Sequence, residues 1–166
     1  AEISVFNWGS FHNLHTARID PEGTLITGDN GAGKSTFIDG LMALLQPASK
    51  ASFNVAAAQG DRSDRSLVTY MRGSYGSEHD GSTTKVKSKR EKAVTTALRA
   101  LYIAEDGSQI TLIGLFWLGQ GKNSLSDVNR LYMIASRNVL LTEVLEIFAD
   151  GNTRQLKQHF NPKTDQ

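Results

Sequence analysis

The order of apolar and polar positions divides the chain into a β-rich opening, one amphipathic helix, a polar middle and a long β-rich second half. Ile3 to Phe6 alternates and is rich in β-formers, and Leu14 to Ile19 reads as a second strand after a bend at Trp8-Gly9-Ser10. Pro21-Glu22-Gly23 is a turn signal, because proline presets φ and glycine accepts the left-handed region. A short apolar strand, Thr24 to Thr27, follows and ends at Gly28. From Lys34 to Leu45 the period becomes that of a helix, with Phe37, Ile38, Leu41, Met42, Leu44 and Leu45 on one broad face. Pro47 stops it.

Residues 48 to 64 are rich in Ala, Ser, Gly, Asn and Asp and read as a surface loop within one domain. Ser66 to Arg72 has the pattern of a short helix ending at Gly73, and the glycine- and hydroxyl-rich stretch from Gly73 to Thr84 reads as mobile. Val94 to Ala104 and Gln109 to Leu118 flank Glu105-Asp106-Gly107-Ser108, and the Asp-Gly pair predicts an antiparallel hairpin. A glycine-containing loop, Gly119 to Ser124, leads to a further strand, Arg130 to Ala135. Leu140 to Phe148 and Arg154 to Phe160 have helical patterns separated by Asp150-Gly151-Asn152. No repeat at a fixed period occurs.

A chain of 166 residues with 39% hydrophobic content supports one core, so residues 1–166 are read as a single α/β unit. Cysteine is absent, which excludes disulfides and thiolate metal sites. His12, His15, His79 and His159 do not cluster with carboxylates at zinc-ligand spacing. The longest apolar run, Leu112 to Leu118, is far short of the ~20 residues that cross a bilayer, and the basic-then-apolar order of a signal peptide is missing. The expectation is a soluble, cytoplasmic protein with no membrane partner. The start at Ala1, followed at once by a strand pattern, reads as part of a longer frame. Charge is uneven: residues 61 to 99 hold nine basic against five acidic groups, while the segments on either side are slightly acidic.

The chemistry is concentrated in Gly28-Asp29-Asn30-Gly31-Ala32-Gly33-Lys34-Ser35, which fits G-x-x-x-x-G-K-[ST] between a strand pattern and an amphipathic helix. Each residue type has a task. Glycines permit torsions closed to other residues, so successive amides can surround phosphate oxygens. The helix that follows points its positive end at the same anion. Lys34, the one residue assigned a catalytic part, places an ammonium on the β- and γ-phosphates; the Ser35 hydroxyl ligates Mg²⁺ and Thr36 adds a hydroxyl to the α-phosphate. The expected cofactors are ATP and Mg²⁺.

The spelling G-D-N-G-A-G-K-S-T resembles the loop of ABC-type ATPases, especially the heads of SMC proteins that organise chromosomes. Val5-Phe6-Asn7-Trp8-Gly9-Ser10-Phe11, Leu25-Ile26-Thr27-Gly28 and Ser35-Thr36-Phe37-Ile38-Asp39-Gly40-Leu41 resemble the opening of such a head. Phe-Asn-Trp-Gly and Tyr70-Met71-Arg72-Gly73 are similar to the MukB/MksB branch, which includes the JetC subunit of Wadjet plasmid-defence systems. The resemblance is good over the first 45 residues and fades after Arg137. It implies a P-loop NTPase fold, an ABC/SMC-type half-head with a mixed core and an antiparallel β-sheet subregion. It further implies a C-terminal half-head of the same parent chain carrying the Walker B acid and signature motif, a second head, kleisin-type accessory subunits and double-stranded DNA.

This chain lacks both missing motifs. Leu101-Tyr102-Ile103-Ala104-Glu105-Asp106 has the apolar-then-acidic look of Walker B, but Gly107 follows at once and a hairpin turn explains it better. Alone, the chain is expected to bind nucleotide weakly and to hydrolyse it hardly at all. The family's metal-ligating glutamine falls on Gln120, the one glutamine in a loop after a strand, or near Ser136-Arg137, where none occurs. Arg62 or Arg65 is the candidate for the family's nucleotide- or DNA-reaching arginine, against an ordinary surface role. With these two and Arg72, Lys85, Lys87, Lys89, Arg90 and Lys92 make a candidate surface for the DNA backbone, against a plain solvated charge run. The competing functional classes are a stand-alone P-loop small-molecule kinase and an interaction module with a nucleotide site.

Overall fold

The computed structural model describes residues 1–46, 66–80, 83–149 and 151–160. Its centre is a five-stranded sheet built from β1 (Glu2–Phe6), β2 (Leu14–Arg18), β5 (Val94–Ile103), β6 (Gln109–Leu118) and β7 (Asn129–Ala135), in the order β2-β1-β5-β6-β7. A separate two-stranded ribbon pairs β3 (Ser74–Asp80) with β4 (Thr83–Ser88). Four α-helices complete the described chain: α1 (Lys34–Leu45), α2 (Leu67–Arg72), α3 (Leu141–Ile147) and α4 (Thr153–His159).

The central strand β5 is buried along most of its length because both faces of the sheet are covered, with Leu98 and Ala100 turned to one side and Ala97 to the other. On one face, Ile3, Val5, Leu98, Ala100 and Phe116 pack with Phe37, Ala43 and Leu44 of α1 and Leu67, Val68 and Met71 of α2. On the other, Ala97, Ile113, Leu115 and Ala135 pack with Val139, Leu141, Val144 and Phe148 around α3, and with Leu156 of α4. The result is a three-layer sandwich. Arg99 lies within the second interface and is spent there: its guanidinium donates to the Val139 carbonyl, Asn138 Oδ1, Ser4 Oγ and Glu2 Oε2.

The hairpin expected at Asp106-Gly107 is present. β5 and β6 pair from Val94↔Leu118 to Ile103↔Gln109, Gly107 has φ 82°, and the Asp106 carboxylate accepts the Ser108 amide at 2.9 Å. That bond and the Ser108 hydroxyl hold the Asp106 carboxyl below its ordinary range. Glu105 and Asp106 therefore belong to an exposed turn. The short helix before Gly73 and the two C-terminal helices also stand where their patterns put them.

Three expectations are corrected. Every neighbouring pair in the large sheet is antiparallel, so the described core is not mixed. Thr24 to Thr27, with good β-formers, joins no sheet among the described residues; Leu25 is 87% exposed and Ile26 37%. A strand needs a neighbour to satisfy its amides and cover its side chains, and none is supplied here. The stretch after Gly73 is the β3–β4 ribbon, because its residues find hydrogen-bonding partners between Thr83 and Ser88.

Candidate nucleotide-binding site

α1 begins at Gly33, whose backbone lies in the left-handed region at φ 93°, ψ 12°. Glycine has no side chain to cap the helix, so the first-turn amides are left for another acceptor. A Cβ at Gly33 would stand 3.0 Å from Ser10 Oγ and 3.1 Å from the Phe11 ring, so the close seating of the loop also requires glycine. Gly31 is left-handed too, at φ 86°, but nothing lies within 4 Å of its missing Cβ: it faces open space. The Lys34 ammonium folds over the loop and donates to the carbonyls of Gly28 at 2.6 Å and Asp29 at 2.8 Å.

These residues form one wall of a cavity of about 770 Å³, within the roughly 300–1,000 Å³ range of small-molecule sites. Asn30, Gly31, Gly33, Lys34, Ser35 and Thr36 come from the loop and helix start. Gly9 and Ser10 after β1, Thr69 and Tyr70 of α2, and Ser74 and Tyr75 of β3 supply the remainder. Ala32 is turned to a second, smaller groove of about 310 Å³, which it lines with His15, Thr16, Ile26 and Phe37.

The loop after β1 is held to α1 and α2 by several bonds. Trp8 is fully buried and donates its indole N–H to the Thr36 carbonyl at 2.7 Å. Gly9, at φ 53°, donates its amide to the Tyr70 carbonyl at 2.8 Å. A Cβ at Gly9 would meet Thr36 Cγ2 at 2.4 Å. The family resemblance rested partly on Phe-Asn-Trp-Gly and Tyr-Met-Arg-Gly, and both runs turn out to be the seat of the helix that carries Ser35 and Thr36. Sequence reasoning gave Gly9, Ser10, Thr69, Ser74 and Tyr75 no place in the site; of these only the Trp8-Gly9-Ser10 bend left a visible signal.

Two arginines fix the surroundings. Arg72, at the end of α2, is 3% exposed and donates to Asn123 Oδ1 and to the carbonyls of Arg90, Lys92, Gly119 and Lys122. Arg90 donates to the carbonyls of Gly9, Tyr70, Met71 and Phe11. Burial lowers the pKa of both guanidinium groups from the ordinary value. Arg72 and Arg90 are thus directed inward, away from the surface role expected for them, whereas Lys89 and Lys92 are exposed and Lys87 is half-buried. Lys85 sits in β4, in register with Glu78. Arg62 and Arg65 lie outside the described residues. Gln120 is exposed in the turn after β6 and does not line the cavity beside Ser35.

Residues 1–60 match the family model described as the P-loop containing region of AAA domain. The chain carries a P-loop region. The match covers β1, β2, the Gly28–Ser35 loop and α1, and so includes the cavity-lining residues Gly9, Ser10, Asn30, Gly31 and Gly33 to Thr36. No curated protein matches the chain. Among the described residues there is no cluster of three or more histidine, aspartate or glutamate side chains suited to a metal, and no helix is long and apolar enough to cross a membrane.

The P-loop wall fits a magnesium-bound triphosphate on structural grounds. Its helix start carries no side-chain cap, Gly31 opens on the cavity, and a lysine and two hydroxyl residues lie side by side at the same mouth. Such a wall offers donors and positive charge to an anion. A bound Mg²⁺ would neutralise phosphate charge, with Ser35 as the residue to hold it.

Proposed function

We propose that the chain is the ATP- and Mg²⁺-binding half of an SMC-like ATPase head in the MukB/MksB/JetC branch, coupling nucleotide-dependent head engagement to DNA handling. The reading is supported above all by the pairing of two features: a P-loop cavity at the start of α1, and the exposed Thr24–Thr27 segment leading into that loop, which pairs with no strand among the described residues. Leu25 and Ile26 are apolar and exposed, and offer surface for another polypeptide to cover. A returning half-head would supply both the neighbouring strand and the acidic residues that hydrolysis needs.

In this reading the amides of Gly31, Gly33 and Lys34 surround the phosphates while that of Ala32 is held by the Asp29 carbonyl; Lys34 neutralises the β- and γ-phosphoryl oxygens, Ser35 holds the metal and Thr36 reaches the α-phosphate. Gly28, Asp29, Asn30 and Ala32 shape the loop. Closure by a second head completes the γ-phosphate environment, and kleisin-type subunits bridge the heads. Lys85, Lys87, Lys89 and Lys92, with Arg62 and Arg65, would meet DNA through its phosphates, so that contact would be insensitive to base sequence and weakened by salt.

The test is calorimetric titration of the purified chain with ATP and Mg²⁺ beside a Lys34→Ala control, followed by phosphate-release assays with and without the parent's C-terminal half-head. Binding lost in the control, with hydrolysis appearing only in the presence of the second half, is the expected result. Robust turnover by the chain alone, lost in Lys34→Ala, would instead support a stand-alone P-loop phosphotransferase. No heat and no change in melting temperature at millimolar ATP would remove the nucleotide reading altogether.

A further inference from the structure

The lining of the cavity extends beyond the phosphate-binding loop and includes an aromatic side chain that the proposed function leaves unused. Tyr75 lines the cavity together with Gly31, Lys34 and Ser35, yet it is 65% exposed. Its position comes from a break in strand register. Ser74 pairs with Ser88 and Gly76 with Lys87, so β3 has one more residue than β4 across that step, and the extra residue is Tyr75. A bulge of this kind leaves one residue outside the ladder and re-aims its side chain.

The residues around Tyr75 are well anchored. Gly73 closes α2 in the left-handed region at φ 62°, and its absent Cβ leaves room for the Arg90 guanidinium, which would otherwise be 2.7 Å away. The Ser74 hydroxyl lies 3.2 Å from that of Ser88, and the Lys89 amide bonds the Gly73 carbonyl. The other aromatics nearby are committed elsewhere. Trp8 and Tyr70 stack on each other and are buried, and Phe11 packs edge-on against Phe37 and His15.

We infer that Tyr75 is the base platform of this site: the heterocycle of a nucleotide whose phosphates lie at Gly31–Ser35 stacks on its ring. The inference rests on the nucleotide reading given above. Every nucleobase has a π-face, so such a platform gives affinity with little discrimination between adenine and guanine. Purines, with the larger ring system, gain more from it than pyrimidines. Tyr75 thus acts as an affinity residue that favours purine nucleotides.

The test compares Mg²⁺-ATP with Mg²⁺-tripolyphosphate, which has the phosphates and no base, on wild type, Tyr75→Ala, Tyr75→Phe and Tyr75→Trp. Tyr75→Ala is expected to weaken ATP roughly tenfold and to leave tripolyphosphate unchanged, while Phe and Trp retain ATP affinity. In Tyr75→Trp, ATP should quench indole emission beyond any change seen in wild type, and tripolyphosphate should not. Equal loss of both ligands in Tyr75→Ala, or loss of neither, overturns the assignment while leaving the P-loop reading in place. If wild type binds neither ligand, the nucleotide reading fails and the base platform fails with it.

Discussion

Trp8 and Tyr70 stack nearly parallel, with ring centroids 4.5 Å apart and an interplanar angle of 11°, and both are hydrogen-bonded to the helix that follows the P-loop. Trp8 reaches the Thr36 carbonyl, and the Tyr70 hydroxyl bonds the buried Asp39 carboxylate. The pair therefore fixes α1 at two points, one in its first turn and one in its middle.

Tyr70→Phe keeps the ring stack and removes the hydroxyl from Asp39. Taking a donor away from a buried charged acceptor is expected to cost about 1–3 kcal/mol. Trp8→Phe removes the bond to Thr36 and leaves unfilled volume in the core, with a loss of similar size. Urea unfolding of the two single variants and the double variant checks this; because the rings touch, the double loss should differ from the sum.

Gly9 and Gly31 are both left-handed, and alanine should separate their effects. At Gly9 the new methyl would overlap Thr36 Cγ2, so Gly9→Ala is expected to lower stability by more than the ~1–2 kcal/mol of left-handed strain alone and to weaken ATP binding. At Gly31 the methyl meets nothing in the protein. Gly31→Ala should cost only the backbone strain and yet weaken ATP binding, since its methyl enters the space meant for phosphate. Melting curves read alongside ATP titrations distinguish the two.

Arg72→Lys tests whether the guanidinium fork is needed. Lysine keeps the charge but offers three donors from one point, and cannot reach five acceptors spread over Arg90, Lys92, Gly119, Lys122 and Asn123. A loss of about 2–3 kcal/mol is expected, measurable by chemical denaturation. Protease cutting in the 119–124 loop should also become faster in the variant.

Glu143 joins α3 to α4 and to the preceding loop. Its carboxylate lies 3.0 Å from His159 Nε2 and 3.5 Å from Arg137 Nη2. Burial pushes its pKa up, but the hydrogen bonds from His159 and Arg137 outweigh that and hold it below the ordinary value. A carboxyl with a lowered folded-state pKa stabilises the fold above its unfolded value and loses that contribution as pH falls through the folded one. Glu143→Gln should therefore melt lower than wild type near neutrality, by under about 1 kcal/mol because the pair is partly exposed. The two curves should converge toward about pH 3, below the carboxylate range. Melting temperatures across that interval decide it.

The P-loop was readable because its four fixed positions fall within eight consecutive residues and each has a local reason, backbone freedom at Gly28 and Gly33 and side-chain chemistry at Lys34 and Ser35. The Asp106-Gly107 hairpin and the period of α1 were readable for the same cause. Tyr75 was not, since its bulge exists only in the pairing of Ser74 with Ser88 and Gly76 with Lys87. Arg90 looked like one member of a basic run, and nothing in that run says which side chain turns inward; its carbonyl partners lie 19 to 81 residues away. Thr24 to Thr27 has the composition of a strand, but composition does not supply the neighbour that a strand requires.

The pairing of Glu2 with Leu101 and Phe6 with Ala97 also sets an order of events during synthesis. β1 stays without its inner neighbour until some ninety more residues have followed, so closing that long loop is a slow step. Trp8 and Gly9 hang from the end of this strand, and they gain their final places only once it docks. A polypeptide stopping before Val94 would contain every letter of the phosphate-binding motif yet lack the strand on which β1, and with it Trp8 and Gly9, is seated.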